Sequence, residues 1–183
     1  MFLRTASKNR LLATLGALLP LVLAAPTLAG PPAAKNFGTH LNGDEEVPER
    51  ACPGQGEATY QLSDDGLQLS YKLIASNINN VVAAHIHLAP LGVNGPIVLF
   101  LFGSPPVPPG GGRQSGVLGQ GTATAANLVG PLTGHPLSDL VTNMREGGAY
   151  TNVHTNDGVA PTNTGCGDFP GGEIRGQIEV RGP

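Results

Sequence analysis

Apolar and polar residues alternate with a period of two along much of this chain, most clearly in the neighbouring segments 57–62 and 67–73. Ala58, Tyr60 and Leu62 alternate with polar residues in the first, and Leu67, Leu69, Tyr71 and Leu73 do so in the second. That alternation marks strands with one face turned inward. Ser63-Asp64-Asp65-Gly66 between them supplies turn chemistry, so 57–73 is predicted to be a hairpin. Segments 37–41, 81–88, 116–125 and 149–155 read as further strands. Segment 97–102 is apolar at every position, as expected of a strand buried on both faces. Segment 173–181 closes the chain as one alternating strand, with Ile174, Ile178 and Val180 opposite Glu173, Arg175, Gln177 and Glu179.

One segment has a different period. Leu137, Leu140, Val141 and Met144 fall at i, i+3, i+4 and i+7, which predicts a helix over 136–146. Pro136 suits its first position and Gly147 its C-terminal stop. No N-cap is evident, since His135 is a poor capping residue; Thr133 would serve only if the helix began earlier. The Pro/Gly-rich segment 104–113 and the long segment 156–172 are predicted loops. Eight or so strands with one short helix give an all-β class, an antiparallel β-sandwich or Greek-key barrel. The 27 Gly, 17 Pro and absence of Trp among 183 residues agree with many short strands and turns.

The first 29 residues are expected to lie outside that fold. Arg4, Lys8 and Arg10 precede a run of about 15 apolar residues, shorter than the ~20 needed to span a bilayer. Thr27-Leu28-Ala29 follows with small residues, so 1–29 is predicted to be a secretory signal peptide cleaved after Ala29. Residues 30–36 form a flexible lead-in and 37–181 the folded domain. No later stretch is long and apolar enough to span a membrane, and the mature chain is expected in the periplasm or outside the cell. The leader holds three basic and no acidic residues, so its removal takes the formal net charge from −3 to −6. Nucleic acid is excluded as a partner, because that binding rests on clustered Lys and Arg. Cys52 and Cys166, the only cysteines, are expected to pair in a disulfide joining two loops.

Candidate chemistry centres on the histidines. Residues two apart on a strand share a face, so His85 and His87 project together, with Val82, Ala84, Ile86 and Leu88 on the other side. His154 lies in a similar setting on 149–155. Three converging imidazoles would hold copper or zinc with an open coordination position, and His40 or His135 offers a fourth ligand. The bland alternative is that these histidines bond backbone groups and anchor the 156–172 loop. Glu173 and Arg175 also share a face. Glu173 would orient a histidine by accepting its N–H, or the two would form a weak solvated ion pair. The acidic segment 44–49 lacks the spacing of a calcium loop and reads as solvated. Gly92 and Asn94-Gly95 read as turn residues without chemistry. Nucleophilic catalysis finds no support, there being no Gly-x-Ser-x-Gly elbow and both cysteines being expected in a disulfide.

Four separated motifs together resemble a known family. They are Leu41-Asn42-Gly43-Asp44-Glu45-Glu46-Val47-Pro48, Ala84-His85-Ile86-His87 with Gly92-Val93-Asn94-Gly95-Pro96, Gly148-Ala149-Tyr150-Thr151-Asn152-Val153-His154-Thr155, and Gly172-Glu173-Ile174-Arg175-Gly176-Gln177-Ile178. Their order resembles the CHRD domain, the repeated module of chordin, which also occurs as single-domain secreted bacterial proteins. The first motif departs by having one proline where two are usual, and the insert near 105–112 is unusually rich in Pro and Gly. The resemblance implies an extracellular binding module with a protein or a metal ion as partner. The nearest architectural analogue is Cu,Zn superoxide dismutase, also a β-barrel with a His-x-His strand and a disulfide. Its dual-metal site uses six histidines and this chain has five, so only a copper-only oxidoreductase site would be within reach. A structural or adhesive surface module without metal is the third reading.

Overall fold

The computed structural model describes residues 33–182. The predicted leader and the start of the lead-in lie outside the described residues. Nine strands form the fold: β1 Asn36–Asn42, β2 Gln55–Leu62, β3 Leu69–Asn79, β4 Val81–Leu88, β5 Ile97–Phe102, β6 Arg113–Ala123, β7 Ala149–Thr155, β8 Ile174–Gln177 and β9 Glu179–Val180. One α-helix, α1, spans Leu137–Arg145. The strands form a single antiparallel sheet in the order β5-β4-β7-β8-β1-β2-β3-β6, with β9 pairing with β1. The sheet curls until its two end strands nearly meet. Gly119 on β6 lies so close to β5 that a Cβ there would come 2.3 Å from the Leu101 carbonyl. The result is barrel-like, all-β but for one short helix.

The inward face of each strand follows the period-two pattern. Ala58, Tyr60 and Leu62 of β2 are buried while Gln55, Glu57, Thr59 and Gln61 face water. Ala84 and Ile86 of β4, Val153 of β7 and Ile174 of β8 join the same core. Helix α1 packs its Leu137, Leu140, Val141 and Met144 stripe into this core. Its start corrects one expectation: Pro136 is the N-cap, extended at ψ 152°, and no side chain caps the helix. Gly147 ends it at φ +70°, and Gly148 N–H donates to the Asn143 carbonyl at 2.8 Å, the pattern of a glycine stop.

Four further features have physical reasons. Strand β5 is not buried on both faces, since Ile97, Phe100 and Phe102 are half-exposed. It lies at one end of the strand order, so nothing covers its outer side fully. Strand β7, by contrast, is buried at every position, because it lies between β4 and β8 under a cover of loops. The last predicted strand is two, β8 and β9, because the pairing changes partner at Ile178, whose N–H donates to Ala149. The described end of the lead-in is tied down: Ala34 accepts two bonds from Arg145, and Lys35 accepts from Leu62 N–H.

Three loops, 43–54, 89–96 and 156–173, fold over the outer face of β4, β7 and β8. Asn94 Nδ2 donates to the Val47 carbonyl at 2.7 Å, joining the first loop to the second. The Cys52–Cys166 disulfide joins the first to the third across 114 residues, as the cysteine count predicts.

Candidate metal centre

Strand registration decides which side chains meet. His85 is paired with Asn152 and His87 with Tyr150 across β4 and β7; Arg175 and Gln177 of β8 continue the same rows. His154, paired with Ala83, stands one step along from His85, within reach of a cross-strand diagonal contact. All these residues alternate with core positions and so face outward, under the three loops. A solvated face would leave them in water. Here His85, His87 and His154 are only 5%, 6% and 8% exposed.

The three imidazoles converge. One ligating nitrogen from each lies within 4.8 Å of the others, and among the described residues no other His, Cys, Asp or Glu joins the group. Ring centroids are 4.7 Å apart for His85–His154, 5.5 Å for His85–His87 and 5.6 Å for His87–His154. Two nitrogens bound at ~2.0–2.1 Å to one tetrahedral ion stand about 3.3 Å apart. His85 Nδ1 and His154 Nε2 stand 3.0 Å apart as a hydrogen-bonded pair, a contact that a bound ion would replace.

The hydrogen bonds settle the tautomers. His87 Nδ1 meets the Gly95 carbonyl at 2.9 Å, and His154 Nδ1 meets the Pro170 carbonyl at 2.9 Å. A carbonyl only accepts, so both Nδ1 atoms carry protons. In the neutral rings both Nε2 atoms are then lone pairs, and His85 Nδ1 donates to that of His154. Nε2 of His85 and Nε2 of His87 are buried with no hydrogen-bond partner. Burial also keeps the rings uncharged. It is the largest cause taking His85 down to about 3, with the neighbouring His154 and His87 adding to it. It takes His87 to about 4 against the pull of the Gly95 carbonyl, and it lowers His154 against that of Pro170. Neutral imidazole with a free lone pair is the form that binds metals.

The four motifs that build this face are matched as a unit. The sequence pattern of the CHRD domain covers residues 37–178. The chain belongs to the CHRD domain family. No curated protein and no solved structure matches it.

Within this CHRD domain the flanking charges act differently from expectation. Glu173 is fully buried and accepts no imidazole proton. Its Oε2 takes Thr155 Oγ1–H at 2.7 Å and Gly167 N–H at 2.5 Å, while Thr155 Oγ1 accepts Phe169 N–H. Glu173 thus pins the loop whose Pro170 carbonyl sets His154. Arg175 does the same for the other loop, donating to the Val93 and Pro90 carbonyls and to Asn94 Oδ1, just before Gly95. Neither residue is solvated, and they do not form an ion pair with each other. His40 and His135 stand apart from the cluster: His40 is exposed on β1, and His135 bonds Asp139 at 2.8 Å on the surface. A four-histidine copper site is therefore not assembled.

Several contributors escape sequence reasoning. Gly95, read as a plain turn residue, gives its carbonyl to His87 and its N–H to Tyr150 Oη at 3.1 Å. Tyr150 stacks on His87 at 4.9 Å and carries the Arg175 guanidinium 3.5 Å from its ring centre. Its shared parity with Asn152 and His154 on β7 is the signal that would have found it. Glu46, in the segment read as solvated, is 5% exposed, and burial pushes its carboxyl up to about 7. Nothing local in the sequence marks Pro170 or Gly95 as acceptors, because a backbone carbonyl has no residue signature.

Proposed function

We propose that this CHRD domain is an exported binding module that holds one transition-metal ion, copper or zinc, at His85, His87 and His154. The convergence of three buried, neutral imidazoles carries this reading, with lone pairs at Nε2 of His85 and His87 facing no donor. The ion would be held by Nε2 of His87, Nε2 of His154 and one nitrogen of His85. It would serve there as a bound partner or as a Lewis acid. Export is supported by the leader-like start of the sequence and by the disulfide.

Elemental analysis of the purified mature protein after exposure to copper or zinc tests the proposal. The expected result is about one ion per chain in the wild type, falling below about a tenth in His85→Ala and His154→Ala. No stoichiometric ion in the wild type would overturn it, leaving the imidazoles as a hydrogen-bonded brace.

A further inference from the structure

We infer that the three-histidine cluster is built for monovalent copper, Cu(I), in preference to Cu(II) or Zn(II); this rests on the metal-site reading above and specifies its ligand. The ligand set contains no anion. Among the described residues the converging group is three imidazoles, without carboxylate or thiolate. An ion bound there keeps its full formal charge.

That charge would be buried. The three rings are at most 8% exposed, and the Nε2 atoms of His85 and His87 have no solvent contact. The penalty for taking an ion out of water rises as the square of its charge, so a divalent ion pays about four times what a monovalent one does. Neutral ligands in a dry site therefore favour the lower charge.

The surrounding charges push the same way. Fully buried Arg175 lies 3.5 Å from the Tyr150 ring centre, and Tyr150 stacks on His87. The Arg175 guanidinium repels a divalent ion at the cluster about twice as strongly as a monovalent one. Coordination number agrees. Cu(II) favours a tetragonal arrangement, yet His40 and His135 stand elsewhere and the cluster supplies three nitrogens; Zn(II), which three histidines and a water can hold, is disfavoured by its charge.

The test is competitive titration of the metal-free mature protein. Cu(I), kept reduced under anaerobic conditions, is competed against a chromogenic Cu(I) chelator; Cu(II) and Zn(II) are titrated in parallel. The expected result is one Cu(I) per chain, bound at least about 100-fold more tightly than Cu(II). That ratio corresponds to a reduction potential raised by about 120 mV over the aqueous couple, at ~59 mV per tenfold. Cu(II) or Zn(II) bound as tightly as Cu(I) would overturn the inference and leave the metal-site reading standing. Failure of all three ions to bind would overturn both.

Discussion

Acidification should expose the histidine cluster through stability alone. In the metal-free fold His85 titrates near 3 and His87 near 4, both lowered chiefly by burial; in the unfolded chain each returns to about 6.5. Between those values the unfolded state binds more protons, so stability falls as pH drops below about 6.5. From pH 7.5 to pH 5 the linkage relation gives about 2 kcal/mol for each ring, or about 3 kcal/mol for the pair after solvent screening. Glu46 works in the opposite direction. Raised by burial from 4.5 to about 7, it strengthens the fold on acidification by about 2 kcal/mol over the same range. The wild-type curve alone would therefore show only a shallow decline. Comparison with the His85→Gln/His87→Gln double variant removes the Glu46 contribution, which both proteins share. Urea unfolding followed by circular dichroism, at pH 7.5 and pH 5.0 with a chelator present, gives both slopes. The wild type should lose about 3 kcal/mol more than the double variant. Equal losses, within about 1 kcal/mol, would refute the claim that the rings are buried in their neutral form.

Two further variants address the loops that orient the rings. In Gly95→Ala the new Cβ would sit 1.9 Å from the Leu88 carbonyl oxygen, so the turn must shift. Thermal unfolding should show a loss of ~1–3 kcal/mol and copper titration a 10–100-fold weaker site, whereas unchanged affinity would mean that the Gly95 carbonyl does not orient His87. Glu173→Ala removes the acceptor for Thr155 and Gly167 and should cost about 2–3 kcal/mol; hydrogen exchange should speed up at the Gly167 and Phe169 amides, and retained protection there would contradict the pinning role.

What could be read from the sequence was local periodicity. The 57–73 hairpin, the helical stripe from Leu137 to Met144 and the shared face of His85 and His87 each depend on residues a few positions apart, and the fold contains all three. Which faces are covered was not legible. Glu57 of β2 and Arg175 of β8 occupy equivalent outward positions in alternating strands, yet one is exposed and the other fully buried. Only the docking of loops 43–54, 89–96 and 156–173 separates them, and those contacts join residues tens of positions apart. The same blindness led the apolar run of β5 to read as a central strand, and Glu46 to read as solvated. Polarity along a strand reports what a residue prefers; burial depends on where distant loops come to rest.

The position of β8 bears on how a nascent chain reaches its final form. This four-residue strand lies between β7 and β1, and so joins one of the latest strands of the domain to its first. Until it is inserted, the His85–Asn152 row has no neighbour beyond β7, and neither loop anchor, Glu173 or Arg175, is in place. The barrel therefore cannot form progressively as the chain emerges. It must wait for residues 174–177, and a fold so dominated by long-range pairing is expected to be slow. A chain truncated before Glu173 would keep all five histidines and both cysteines and still lack both anchors of the loops that cover the histidine face.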